Sequence, residues 1–192
     1  MVMLALPFLC SAQERGQAEP SYPFHGLRLW SFSTDVTTWA MLGTINFEAE
    51  RAVSQKTSIY VGAKFNPWTF RYGQEDEFRA RVIRPYIGVR WWPFHYYSGW
   101  FVGIEALGSI HNYANIFNSN CYEGWFAGLG LNAGYSFMLS ERVNLSIGAG
   151  GAVGWFSHKI FTAPRCGRLT DGDKSGITIQ PSALYCQFSW LF

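Results

Sequence analysis

Three side chains near the middle of the chain are of the types that ester-cleaving chemistry uses. Glu105, Ser109 and His111 stand four and two positions apart, so on an extended strand all three point to one side. A hydroxyl, an imidazole and a carboxylate can together activate an oxygen nucleophile for attack on a lipid ester. The plainer reading is that residues two apart on a strand share a face without useful contact, and that a histidine at a strand end is simply exposed. The plainer reading is preferred, and no catalytic residue is assigned.

Other chemistry-bearing patterns are weaker. Asp171 to Gly176 (DGDKSG) has the acids of a calcium loop but no closing Glu, so a solvated turn is expected. Gly128, Gly130, Gly134, Gly148, Gly150 and Gly154 follow no strand-to-helix junction of the kind that cradles phosphate. Among Cys121, Cys166 and Cys186 there is no CxxC pair and no histidine at metal spacing, so no metal or cofactor is expected. In an exported chain Cys121 and Cys166 are candidates for a disulfide between two loops, with two free thiols as the alternative. Scattered basic residues and a net charge of +2 give no stripe for nucleic acid.

The elements that would position these residues announce themselves by alternation. From Val143 to His158 (VNLSIGAGGAVGWFSH), Val143, Leu145, Ile147, Val153 and Trp155 share one parity, and the other is small or polar. The same period of two recurs from Gly43, Ser58, Arg79, Trp100, Trp125 and Leu184, the signal of strands. Leu27–Ser33 makes an eighth strand whose facing is ambiguous. The non-apolar parity carries Glu48, Glu50, Lys64, Arg84, Arg90 and Glu105. Charges in a dry interior are costly unless paired, but three acids and three bases can neutralise one another inside a narrow barrel. Glu105 is expected to pair with Arg84 or Arg90. Eight strands leave room only for side chains, so this set is expected to be a packed network rather than the lining of a pore.

Aromatic residues make up 18% of the 192-residue chain, including nine Trp. Trp30, Trp91, Trp92, Trp100, Trp125, Trp155 and Trp190 fall near strand ends, as in membrane-interface girdles. No run of about 18 apolar residues exists, so a transmembrane helix is excluded. Lipid offers no hydrogen bonds, and a sheet within it must close on itself. The expected fold is therefore an eight-stranded antiparallel up-and-down transmembrane β-barrel, with the oily parity outward and bacterial outer-membrane lipid around it. Short turns at 53–57, 93–97 and 140–142 would lie with both termini on the periplasmic side, opposite longer connections at 72–78, 112–123 and 159–176. Residues 1–12 read as a signal peptide lacking its usual basic start, 13–26 as a polar linker and 27–192 as the barrel. Lipid attachment at Cys10 fits less well behind the bulky Leu9.

The segments PYIGVRWWP, GWFVGIEALGS and GLGLNAGYSFMLSERVNLSIGAGGAVGW, with the closing strand that ends in Phe192, resemble an uncharacterised outer-membrane β-barrel family of Bacteroidetes, a domain of unknown function numbered thirty-five seventy-five. The resemblance runs from about Leu27 to Phe192. It implies similarity to small OmpA-type barrels, with some members encoded near fimbrial or OmpA-like genes, and it carries no catalytic residue. A structural or surface-interaction role follows, with another envelope or cell-surface protein (fimbrial or OmpA-like) as partner. Tyr113, Phe117, Tyr122, Phe161, Arg165 and Arg168 on the long loops are the candidate contact residues. The rival reading is a soluble, exported, lipocalin-like barrel with its apolar face inside around a small ligand.

Overall fold

The computed structural model describes residues 29–71, 74, 77–116, 120–162 and 168–192. The expected leader and linker, and Phe117, Arg165 and Cys166, lie outside the described residues. The described chain runs β1 (Trp30–Asp35), α1 (Val36–Ala40), β2 (Ile45–Ser54), β3 (Thr57–Asn66), β4 (Thr69–Phe70), β5 (Phe78–Trp91), β6 (Gly99–Ala114), β7 (Asn120–Met138), β8 (Val143–Thr162) and β9 (Leu169–Leu191). All pairings are antiparallel. The sheet closes into a ring, because β1 pairs with β9 and β3 with β5. The eight strands read from alternation make that ring. The two-residue β4 pairs only with β5, above the end of β3.

The two parities separate as the physics of alternation requires. Leu131 is 62% exposed and Ile104 61%, while Arg90 is 5% exposed and Glu105 7%. In β1 the ambiguity resolves with Ser31, Ser33 and Asp35 inside and Trp30 and Phe32 outside. Inward glycines make room for large neighbours. Tyr60 lies opposite Gly88, and Gly62 opposite Tyr86. A Cβ on Gly88 would come 2.5 Å from Tyr60 Cζ, and one on Gly130 would come 2.9 Å from Glu105 Cγ. Glycine here is a condition of filling the ring with aromatic and carboxylate side chains.

Three features depart from the sequence reading. Trp92 is not part of the outer girdle: it is 2% exposed, because the chain turns inward after β5. The connection between β1 and β2 carries a helical turn, α1, capped by the Asp35 side chain accepting from Thr37 N at 3.1 Å. Most of the expected long loops are strand. Tyr113 lies in β6, Tyr122 in β7 and Phe161 in β8, and β9 begins at Leu169, so one side of the ring extends well beyond β1, β2 and β3. The ladder between β8 and β9 shifts register where Gly150 faces Ala183 and Gly151 faces Pro181. Ser182 is the extra residue of that bulge, and proline, lacking an N–H, suits such a position.

Candidate functional site

The interior is built in three tiers. The lowest is an aromatic plug at the short-turn end, made by the turn between β5 and β6. Trp92, Tyr96, Tyr97 and Phe101 pack there with Tyr185 and Leu191. Tyr97 takes a left-handed conformation (φ 63°), uncommon for a residue with a Cβ, and its contacts hold it there. Its hydroxyl lies 3.0 Å from the Leu29 carbonyl and 3.2 Å from that of Glu50. Its carbonyl accepts from Ser136 Oγ at 3.2 Å and Asn144 Nδ2 at 2.5 Å. Trp92 Nε1 donates to Ser58 Oγ at 2.9 Å, whereas the buried hydroxyls of Tyr96 and Tyr185 find no hydrogen-bond partner among the described residues.

Above the plug lies the charged tier. Arg90 Nη1 is 2.7 Å from Glu48 Oε1 and 2.6 Å from Glu50 Oε2, and Arg90 Nη2 is 3.2 Å from Glu48 Oε2. The guanidinium carbon sits 4.0 Å over the Tyr60 ring, which adds cation–π attraction in a dry setting. Glu48 also accepts from Gln187 Nε2 at 3.0 Å, and Ser58 donates to Glu50. Lys64 Nζ lies 3.2 Å from Asp35 Oδ2, and Asp35 Oδ1 accepts from Cys186 N at 3.2 Å. Of the two partners expected for Glu105, Arg90 is taken by Glu48 and Glu50, whereas the Glu105 charge acts on Arg84. The Glu105 carboxylate accepts from Tyr60 at 3.1 Å and Asn132 at 3.3 Å. The space left among these groups is a cavity of about 30 Å³, about one water's share of liquid volume.

Arg84 forms the boundary with the third tier, an open vestibule of about 270 Å³ at the long-strand end. Ser109 and His111 line the vestibule, whereas Glu105 lies in the cavity beneath. The three residues of the esterase-like set are thus on one face but not in one site. Among the described residues no hydrogen bond joins Ser109 to His111, which instead stacks on Tyr113 with ring centroids 5.1 Å apart.

The candidate contact residues divide. Tyr113 lines the vestibule, and Tyr122 meets the vestibule residue His158 edge-on, centroids 5.7 Å apart. Phe161 is half-buried and Arg168 is exposed at the far end of the β8–β9 hairpin. Cys121 is buried and disulfide-bonded, and Cys186 is a free thiol. Cys166, the partner expected for Cys121, lies outside the described residues. Tyr60, Asn132 and Gln187 lie on the inward parity of the strands that alternate from Ser58, Trp125 and Leu184. Asp35 falls two residues beyond the expected first strand, Leu27–Ser33, and so carries no such signal.

A closed antiparallel ring with an apolar outer wall and a hydrogen-bonded polar filling defines an all-β class of protein. The chain belongs to the family described as "Protein of unknown function (DUF3575)", whose model matches residues 3–192. No curated protein and no solved structure matches the chain.

Proposed function

We propose that this ring is an eight-stranded up-and-down β-barrel in the bacterial outer membrane, with a structural or surface-interaction role and no catalysis. One observation carries the reading: large apolar side chains cover the outer wall between two aromatic rows. Trp100 faces Tyr135 at one level, and Ile110 faces Trp125 at the other. Ten residues separate Trp125 from Tyr135, roughly 33 Å of strand at about 3.3 Å per residue. At a tilt of about 40° that spans about 25 Å, the height of a lipid-facing band. A wall this apolar far exceeds the patches soluble monomers expose. A soluble lipocalin-like barrel needs the reverse facing, with Leu131 and Ile104 inside.

Orientation follows from the termini. Trp30 N donates to Phe192 O at 3.1 Å and Phe192 N to Trp30 O at 3.0 Å, so the described chain begins and ends at the short-turn end, the periplasmic side in such barrels. The extended β6–β9 side would then stand outside the cell. Its tip carries Arg168 and the exposed pairs Lys174–Asp171 and Lys159–Asp173, a polar surface for another envelope or cell-surface protein.

Fractionation tests the reading. The protein is expected in detergent extracts of outer membrane, with heated and unheated samples migrating differently on a gel, and without steady conductance in planar bilayers because the plug and charged tier fill the bore. Recovery as soluble periplasmic protein, with one migration, contradicts it.

A further inference from the structure

We infer that the vestibule is a binding site for a small aromatic carboxylate. The inference stands on the interior geometry and does not depend on what surrounds the outer wall.

The floor supplies the anion-binding element. Arg84 lines both the small cavity and the vestibule. Among the described residues its Nη2 is sealed from solvent without a hydrogen-bond partner, and a ligand in the vestibule would meet the remaining edge of the guanidinium. The other cations of the charged tier are matched, Arg90 by Glu48 and Glu50 and Lys64 by Asp35. Glu105 attracts Arg84 from the small cavity, but its carboxylate hydrogen-bonds Tyr60 and Asn132 and lies outside the vestibule. A buried guanidinium N–H left unpaired is costly, and a carboxylate is the planar partner that its geometry fits.

The walls fix the rest of the ligand. Among the described residues no carboxylate lines the vestibule. Two imidazoles face it, each stacked on an aromatic neighbour: His111 on Tyr113 at 5.1 Å and His158 on Phe156 at 5.0 Å. Phe126 and Val82 add apolar surface, while Ser109, Thr178 and Gln180 offer hydrogen bonds. A flat ring can stack between these walls with its carboxylate directed down to Arg84. The volume of about 270 Å³ falls below that of drug-sized pockets, which begin at about 300 Å³, so a single-ring acid is the fitting size.

The test uses the full chain, folded in a non-ionic detergent, titrated calorimetrically with benzoate, its neutral analogue benzamide, and acetate. Benzoate should bind saturably at one per chain, with benzamide and acetate each at least tenfold weaker. Arg84→Gln should weaken benzoate at least tenfold while the far-ultraviolet circular dichroism of the folded sheet is retained. Thr178→Phe fills the vestibule from the β9 wall and leaves the arginine in the sequence. It should also abolish binding, and it serves if Arg84→Gln fails to fold. Absence of saturable benzoate binding, equal binding of benzoate and benzamide, or unchanged affinity in folded Arg84→Gln overturns the inference.

Discussion

Arg90 on β5 reaches across the Tyr60 ring of β3 to place Nη1 2.6 Å from Glu50 Oε2 on β2, two strands away. The arrangement ties three strands of the ring through one buried guanidinium. Removing one partner of a buried ion pair leaves an uncompensated charge, at a cost of about 3–5 kcal/mol. Arg90→Met is therefore expected to lower unfolding stability by about that amount in urea titrations of the refolded protein. Adding Glu48→Gln and Glu50→Gln should recover most of the loss, because no unpaired charge then remains.

Gly88 and Tyr60 form a second relationship that one methyl group disturbs. A Cβ at position 88 would also come 2.5 Å from the Ile104 carbonyl, a backbone atom that cannot turn away. Gly88→Ala should destabilise by about 1–3 kcal/mol, the usual cost of overpacking, read from the midpoint of the same titration. Gly172 meets nothing within 4 Å, and Gly172→Ala should leave that midpoint within error.

Depth within the proposed lipid band gives a graded expectation. Leu131 lies between the two aromatic rows, four residues from Tyr135 and six from Trp125. Leu131→Arg should cost about 2–4 kcal/mol of folding free energy in lipid vesicles, whereas arginine near an interface costs about 0–1 kcal/mol. Trp100→Arg, at the lower row, is the comparison. Equal, negligible costs at both sites would place water against the wall.

Cysteine pairing is checked by peptide mapping without reductant. The Cys121 peptide is expected to be joined to the Cys166 peptide, with Cys186 alkylated alone.

Much of this architecture was legible because alternation is a direct consequence of strand geometry, and because Glu48, Glu50, Arg90 and Glu105 share the parity of the glycines. Three things were hidden for physical reasons. The inward fold of Trp92 to Tyr97 breaks no local rule: the turn is short, and only contacts from Ser136 and Asn144, remote in sequence, show that it plugs the ring. The strand extensions through Tyr113, Tyr122 and Phe161 lie beyond the wall's apolar band, where neither face is consistently apolar and polar composition reads as loop. The bulge at Ser182 shifts the inward parity, placing Ser182 and Tyr185 three apart on one face, so the alternation ending at Phe192 cannot be traced back through it. Who engages whom inside was also out of reach: the Glu105 carboxylate faces Tyr60, 45 residues earlier in the chain.

The facing of the cross-strand partners Leu131 on β7 and Ile104 on β6 is the most direct test of the whole account. In a Cys186→Ala background, nitroxide labels at Leu131→Cys and Ile104→Cys in lipid vesicles should collide readily with dissolved oxygen and scarcely with a water-soluble nickel chelate. Labels reached freely by the chelate, or immobilised and shielded from both, would contradict a wall that meets lipid.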